Sequence, residues 1–150
     1  MDLILWRHAE AEPGEPDLGR RLTAKGIQQA ERMAEWLDQH LPATTRILSS
    51  PADRAQQTAQ ALKRKFRVVP ELAPGASVSA VLAATGWPDT REPVLVVGHQ
   101  PTLGEVAALL IAGEEASWSV RKGAVWWLSN RFRNGESTVV LKVVVGPDFV

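Results

Sequence analysis

The sequence predicts an α/β fold: a three-layer α/β/α sandwich around a mostly parallel sheet with an antiparallel edge. Three observations carry that expectation. Short apolar runs alternate with stretches of helical period through roughly residues 1–112. "PVLVVG" (93–98) is apolar without alternation, as expected of a central parallel strand covered on both faces. The last third is β-rich and turns back at "RNGE" (133–136), a hairpin signal.

Leu3–Trp6 reads as the first strand, and residues 9–21, with Pro13, Gly14, Pro16 and Gly19, as a loop. Thr23 is placed to cap a helix whose inner stripe is Ile27, Ala30, Ala34, Leu37 and Leu41, ending near His40 because Pro42 follows. "RILSS" (46–50) is a second strand. Ser50 then reads as an N-cap with Pro51 behind it, and Ala55, Thr58, Ala59 and Leu62 as the inner face of the next helix. "FRVV" (66–69) reads as a third strand, and Val78, Val81 and Leu82 as a short helix ending near Gly86. After the 93–98 strand, Leu103, Val106, Ala107, Leu110 and Ile111 form an amphipathic helix closed by Gly113. "GAVWWLS" (123–129) and "STVVLKVVV" (137–145) supply the closing hairpin. Residues 1–150 are expected to form a single domain, since no linker, repeat or low-complexity tract interrupts them.

Composition narrows the function. Lys plus Arg and Asp plus Glu number 17 each, so the charge balance carries no footprint of nucleic acid or of an acidic membrane surface. There is no cysteine, which excludes disulfides, thiolate catalysis and Cys-based zinc. The N-terminus lacks the basic and long apolar regions of a signal peptide, and no apolar stretch reaches membrane-spanning length. A cytoplasmic protein is the default expectation.

In parallel sheets of this kind ligands bind beyond the carboxyl ends of the strands. The first strand delivers Arg7 and His8 there, the second leads to Arg54 on the first turn of its helix, and the 93–98 strand delivers His99. Guanidinium groups bind phosphoryl oxygens bidentately and stay charged. Helix N-termini near Arg54 and His99 add donors and a favourable dipole. A neutral, oriented imidazole can attack phosphorus and carry the phosphoryl group until water removes it. Two histidines without a carboxylate or Cys partner are too few for a metal, which adjacent arginines would also repel. No metal or organic cofactor is implied.

"LWRHAEAE", "RRLTAKGIQQAERMAEWL", "ILSSPADRAQQTA" and "VLVVGHQPTLGEVAALL" together resemble the histidine phosphatase superfamily, and more narrowly its SixA-type phosphohistidine phosphatases. The resemblance covers roughly residues 1–112 and implies a phosphoglycerate mutase-like fold. It also implies His8 as nucleophile, Arg7 and Arg54 as phosphate clamp, and His99 as stabiliser of the transferring group. The family's D-x-x-R-x-L-T block matches Asp17, Arg20, Leu22 and Thr23, which makes Arg20 a further phosphate contact. Whether Arg20 or its neighbour Arg21 turns inward stays open at this level.

Two departures stand out. Ala9 replaces the family's usual Gly after Arg-His, and its small side chain should be tolerated. Gln100 follows His99 where many relatives carry an acid, leaving Glu10 and Glu71 as proton-donor candidates outside any matching motif. An imidazole leaving group, with a pKa of about 6.5, needs a positioned acid far less than an alkoxide does. The expected activity is therefore hydrolysis of phosphohistidine on a protein, such as a phosphorelay or phosphotransferase carrier. The alternatives are a phosphatase for small phosphomonoesters or phosphoramidates, and a phosphate-binding module without turnover. Elsewhere His40 and "KRKFR" (63–67) read as surface. The adjacent Trp126 and Trp127 should face opposite sides of their strand.

Overall fold

The computed structural model describes residues 1–150. Its strands are β1 (Asp2–Arg7), β2 (Arg46–Ser49), β3 (Arg67–Val68), β4 (Val94–Gly98), β5 (Val125–Arg133) and β6 (Glu136–Val145). Its helices are α1 (Ala24–His40), α2 (Asp53–Gln60), α3 (Val78–Thr85) and α4 (Thr102–Ala112). All six strands form one sheet in the order β3-β2-β4-β1-β5-β6. Strands β1 to β4 pair in parallel, whereas β5 runs antiparallel to β1 and β6 antiparallel to β5. This is the α/β sandwich with an antiparallel edge that the alternating pattern predicts.

The pleat of β1 explains the three layers. Leu3 and Leu5 point to one face and pack with Val78 and Val81 of α3 and Leu103 and Val106 of α4. Ile4 and Trp6 point to the other and pack with Met33 and Leu37 of α1 and Ala55 and Ala59 of α2. All four β1 residues are fully buried, and burial of each aliphatic side chain stabilises the fold by about 1.5–3 kcal/mol. Trp6 also donates its indole N–H to the carbonyl of Gly123 at 3.0 Å. The central position of β1 thus follows from an apolar run with no polar face.

Helix α1 starts where the sequence places it. The Thr23 hydroxyl accepts from the amide of Gly26 and donates to the Glu10 carboxylate at 2.8 Å. Gly26 is required by close approach: a Cβ there would lie 2.0 Å from the carbonyl oxygen of Glu10. Ile27 is not on the inner stripe but 43% exposed. The buried stripe centres on Gly26, Ala30, Met33 and Leu37, which leaves Ile27 on its flank. The hairpin turn has positive φ at both Asn134 (50°) and Gly135 (78°), the handedness that matches twisted antiparallel strands. Trp127 is buried on the α1 side and Trp126 packs on the opposite face, as their alternation requires.

Four local expectations need correction. Ser50 does not cap α2: the helix begins at Asp53 with Ala52 as N-cap, and the Ser50 hydroxyl accepts from the Ala52 amide in the turn before it. "FRVV" pairs only over Arg67–Val68. The 9–21 loop contains a 3-10 turn at Asp17–Gly19 and an Ala11–Leu22 bridge. Within "KRKFR", Arg64 is not simply solvated. It pairs with Asp38 at 2.9 Å and donates to the carbonyls of Leu41 and Pro42, so it pins the end of α1. No helix is long and apolar enough to cross a membrane.

Candidate active site

Arg7 and Gly98 are neighbours in the β1–β4 register. Just past them, the amide of His8 donates to the carbonyl of Gly98. That pairing carries the two histidines to the same sheet edge, their ring centroids 5.1 Å apart. A pocket of about 200 Å³ opens there, lined by Arg7, His8, Arg20, Arg54, His99 and Gln100, with Ala11, Pro74 and Lys122 completing the wall. Every arginine and histidine that the sequence nominated therefore reaches one pocket, and no carboxylate lines it.

The two rings are held differently. Nδ1 of His8 lies 2.7 Å from the carbonyl oxygen of Ala9. A carbonyl can only accept, so Nδ1 carries the hydrogen and Nε2 keeps its lone pair in the neutral ring. Nε of Arg54 donates towards that same Nε2 at 3.4 Å. The adjoining backbone is fixed by the Ala9 amide, which donates to the Thr58 hydroxyl. His99 is anchored through its Nε2, 2.7 Å from the hydroxyl of Ser50, while its Nδ1 is buried without a partner.

Both imidazoles are held neutral. Burial pushes His8 down to about 4; the hydrogen bond to Ala9 opposes this, and Arg54, Arg7 and Arg20 add to it. Burial likewise pushes His99 down to about 3, helped by repulsion from His8 and Arg54. Arg7 is also lowered by burial, yet a guanidinium stays charged at working pH.

Asp17 organises the cations. Its carboxylate accepts from Arg20 at 3.0 Å and from Arg54 at 3.2 Å, and its carbonyl accepts a further bond from Arg54 at 2.8 Å. The hydrogen bond from Arg20, with a further one from Arg54, holds this carboxyl below its usual range. Arg54 is only 4% exposed. Arg20 is the arginine that faces the pocket, whereas Arg21 is exposed and lies 3.9 Å from Asp53. Arg7 donates to the carbonyl of Val120 at 3.0 Å.

Ala9 is fully buried in a small cluster with Leu22 and Ala30, so its methyl group has a place. Gln100 is committed at both ends: its amide nitrogen donates to the carbonyl of Trp118 and its oxygen accepts from the amide of Gly104, each at 2.7 Å. Glu10 is bound to Thr23, Glu71 is exposed in the 3-10 turn at Pro70–Leu72, and neither lines the pocket. Ser50, Thr58 and Lys122 are the site-associated residues that sequence reasoning missed. Ser50 carried a signal, its place in "SSPADR", which resembles a helix cap. Lys122 carried none, because its position depends on the chain returning from residue 120 to the end of β1.

The fold and pocket define an α/β enzyme that handles phosphoryl groups, and the chain belongs to the histidine phosphatase superfamily (branch 1), whose pattern matches residues 3–76. It is accordingly a phosphatase, a hydrolase. Among its relatives, the chain is similar to the phosphohistidine phosphatase SixA of Escherichia coli K12, 35% identical over 124 residues that cover 76% of each chain. It is also similar to the SixA homolog of Haemophilus influenzae, 32% identical over 126 residues covering 73% of this chain and 77% of that one. In three dimensions it matches the protein histidine phosphatase SixA complexed with tungstate, with a TM-score of 0.80 and 27% identity, over 99% of this chain and 98% of that one.

Proposed function

We propose that the protein hydrolyses phosphohistidine on another protein, through a covalent intermediate on His8. The observation that carries this reading is the hydrogen bond from His8 Nδ1 to its own neighbour's carbonyl. It leaves Nε2 unprotonated at a pocket lined with guanidinium groups. In the first step the Nε2 lone pair attacks phosphorus in line, and the bond between phosphorus and the substrate nitrogen breaks with its electron pair on that nitrogen. Arg7, Arg20 and Arg54 balance charge on the peripheral oxygens, and the unpartnered Nδ1 of His99 adds a donor when it carries the hydrogen. In the second step water attacks phosphorus, the P–Nε2 bond breaks with its electron pair returning to Nε2, and phosphate leaves carrying the hydrogens of water, with His8 restored.

The polar lining favours a nitrogen leaving group over an alkoxide. No carboxylate lines the pocket, and Gln100 is an amide already bonded at both ends. A substrate ring that carries a hydrogen on its other nitrogen departs without a positioned acid, because it leaves as neutral imidazole, whose conjugate acid has a pKa of about 6.5. The partner in this reading is a phosphohistidine-bearing protein, such as a phosphorelay or phosphotransferase carrier; the relatives support it only as far as their names, phosphohistidine phosphatases, go. Phosphate release from such a carrier, measured for the wild type beside His8→Ala, tests it. Release by the wild type and its loss in the variant are expected; faster turnover of a sugar phosphate than of the carrier would overturn the substrate class.

A further inference from the structure

A second cavity of about 610 Å³ adjoins the phosphate pocket, and Arg7 and Lys122 line both. It is three times as large as the pocket and differs in chemistry. One wall is apolar, built from Trp126, the half-exposed Val144 and Phe149, which is 87% exposed. The other is basic, with Arg121 beside Arg7 and Lys122 against a single acidic residue, Asp148. In a chain whose formal charge is zero, this excess of cations is local.

The loop that forms the basic wall is fixed to the catalytic strand. The Gly123 amide donates to the carbonyls of both Arg7 and His8 at 3.1 Å, and the Val120 carbonyl holds the Arg7 guanidinium. Arg121 and Lys122 therefore project, exposed, from a backbone bonded to the nucleophile's own segment. A phosphoryl group and one imidazole ring would fill the smaller pocket of about 200 Å³. The larger groove is left for whatever surrounds that ring in the substrate.

We propose that this groove docks an acidic segment of the phosphohistidine-bearing protein, with one apolar side chain of that segment against Trp126 and Phe149. The proposal rests on the protein-substrate reading given above. Cations meet acidic side chains, the apolar wall takes the neighbouring hydrophobic contact, and continuity through Arg7 and Lys122 sets the register to the phosphorylated histidine. Charge complementarity of this kind acts mainly on encounter and affinity for the protein substrate.

The test compares Arg121→Glu, Arg121→Gln and Phe149→Ala with the wild type on two substrates: a phosphorylated carrier protein and the small molecule phosphoramidate. Both side chains changed are exposed, and equal thermal melting would show the fold intact. The expected result is a KM for the carrier raised by about tenfold in Arg121→Glu, less in Arg121→Gln, with its kcat unchanged. Phosphoramidate turnover should not move. Unchanged carrier KM in all three variants overturns the docking proposal while leaving the phosphohistidine reading intact. Equal losses on both substrates overturn it in favour of a groove that serves small substrates or shapes the catalytic centre. Wild type that turns over phosphoramidate but not the carrier overturns the protein-substrate reading, and the groove's proposed occupant with it.

Discussion

The ends of β1 and β4 each deliver a buried histidine to one pocket, yet they secure the ring in opposite ways. His8 donates from Nδ1 to a carbonyl, which has no hydrogen to give back. His99 meets a hydroxyl through Nε2, and a hydroxyl both donates and accepts. The first arrangement fixes one tautomer with a lone pair on Nε2; the second lets the neutral ring take either tautomer without losing its anchor. The difference suits the proposed roles: a nucleophile needs a permanent lone pair, and the neutral His99 ring can offer its Nδ1–H to the transferring group when the hydroxyl donates to Nε2.

Removing either ring breaks the comparison most sharply. His8→Ala should lower carrier dephosphorylation by roughly 10⁴-fold or more, because the proposed mechanism carries the phosphoryl group on His8. His99→Ala should cost about 10²–10³-fold and still form phosphoenzyme, slowly. Equal losses in steady-state assays and in phosphoenzyme formation would erase the distinction between the two roles.

Asp17→Asn addresses the cations that both rings share. It removes the charge that bridges Arg20 and Arg54, and KM for the carrier should rise about tenfold while the chemical step changes less. A kcat effect larger than the KM effect would mean that Asp17 acts on the reaction itself.

Acid should destabilise the protein in a defined direction. Both histidines have folded values below the ordinary 6.5, about 4 for His8 and about 3 for His99. The unfolded chain therefore binds more protons between about pH 6.5 and these folded values. The stability this contributes is fully present above about pH 6.5 and is lost as pH falls towards the folded values. Urea midpoints measured from pH 7 to pH 4 should decline, and His8→Ala and His99→Ala should each flatten the decline. A wild-type midpoint that stays level over this range, or rises, would contradict the neutral burial of the two rings.

The smallest effect is expected at Ser50. Ser50→Ala should slow turnover about three- to tenfold, the scale of one net hydrogen bond, and leave phosphate affinity nearly unchanged. Ser50→Thr, which keeps the hydroxyl, should recover most of the activity. No effect in Ser50→Ala would show that His99 needs no anchor.

Much of this geometry was legible in the sequence because the residues follow strand ends in short local blocks. Arg7 and His8 follow four apolar residues, and His99 follows another apolar run, so strand periodicity alone sends them to one edge. Arg54 could be read from its place in the first helical turn. Side-chain pairings across the sheet were not legible. Ser50 looked like a cap because its local sequence suits one, but tertiary contact with His99 claims its hydroxyl. Asp17 was visible as part of a motif, whereas its grip on Arg54 spans 37 positions. Ile27 was misplaced because a spacing of three and four residues fits two adjacent stripes, and only packing selects between them. The groove beside the pocket depends on residues 119–124 returning to the end of β1, a contact that no local pattern announces.

The most direct measurement is a rapid-quench experiment with a carrier protein bearing radiolabelled phosphohistidine. The account predicts transient enzyme label that is stable to alkali, labile to acid, mapped to His8 and absent in His8→Ala. Carrier turnover at the normal rate with no label on the enzyme, or label on a residue other than His8, would contradict it.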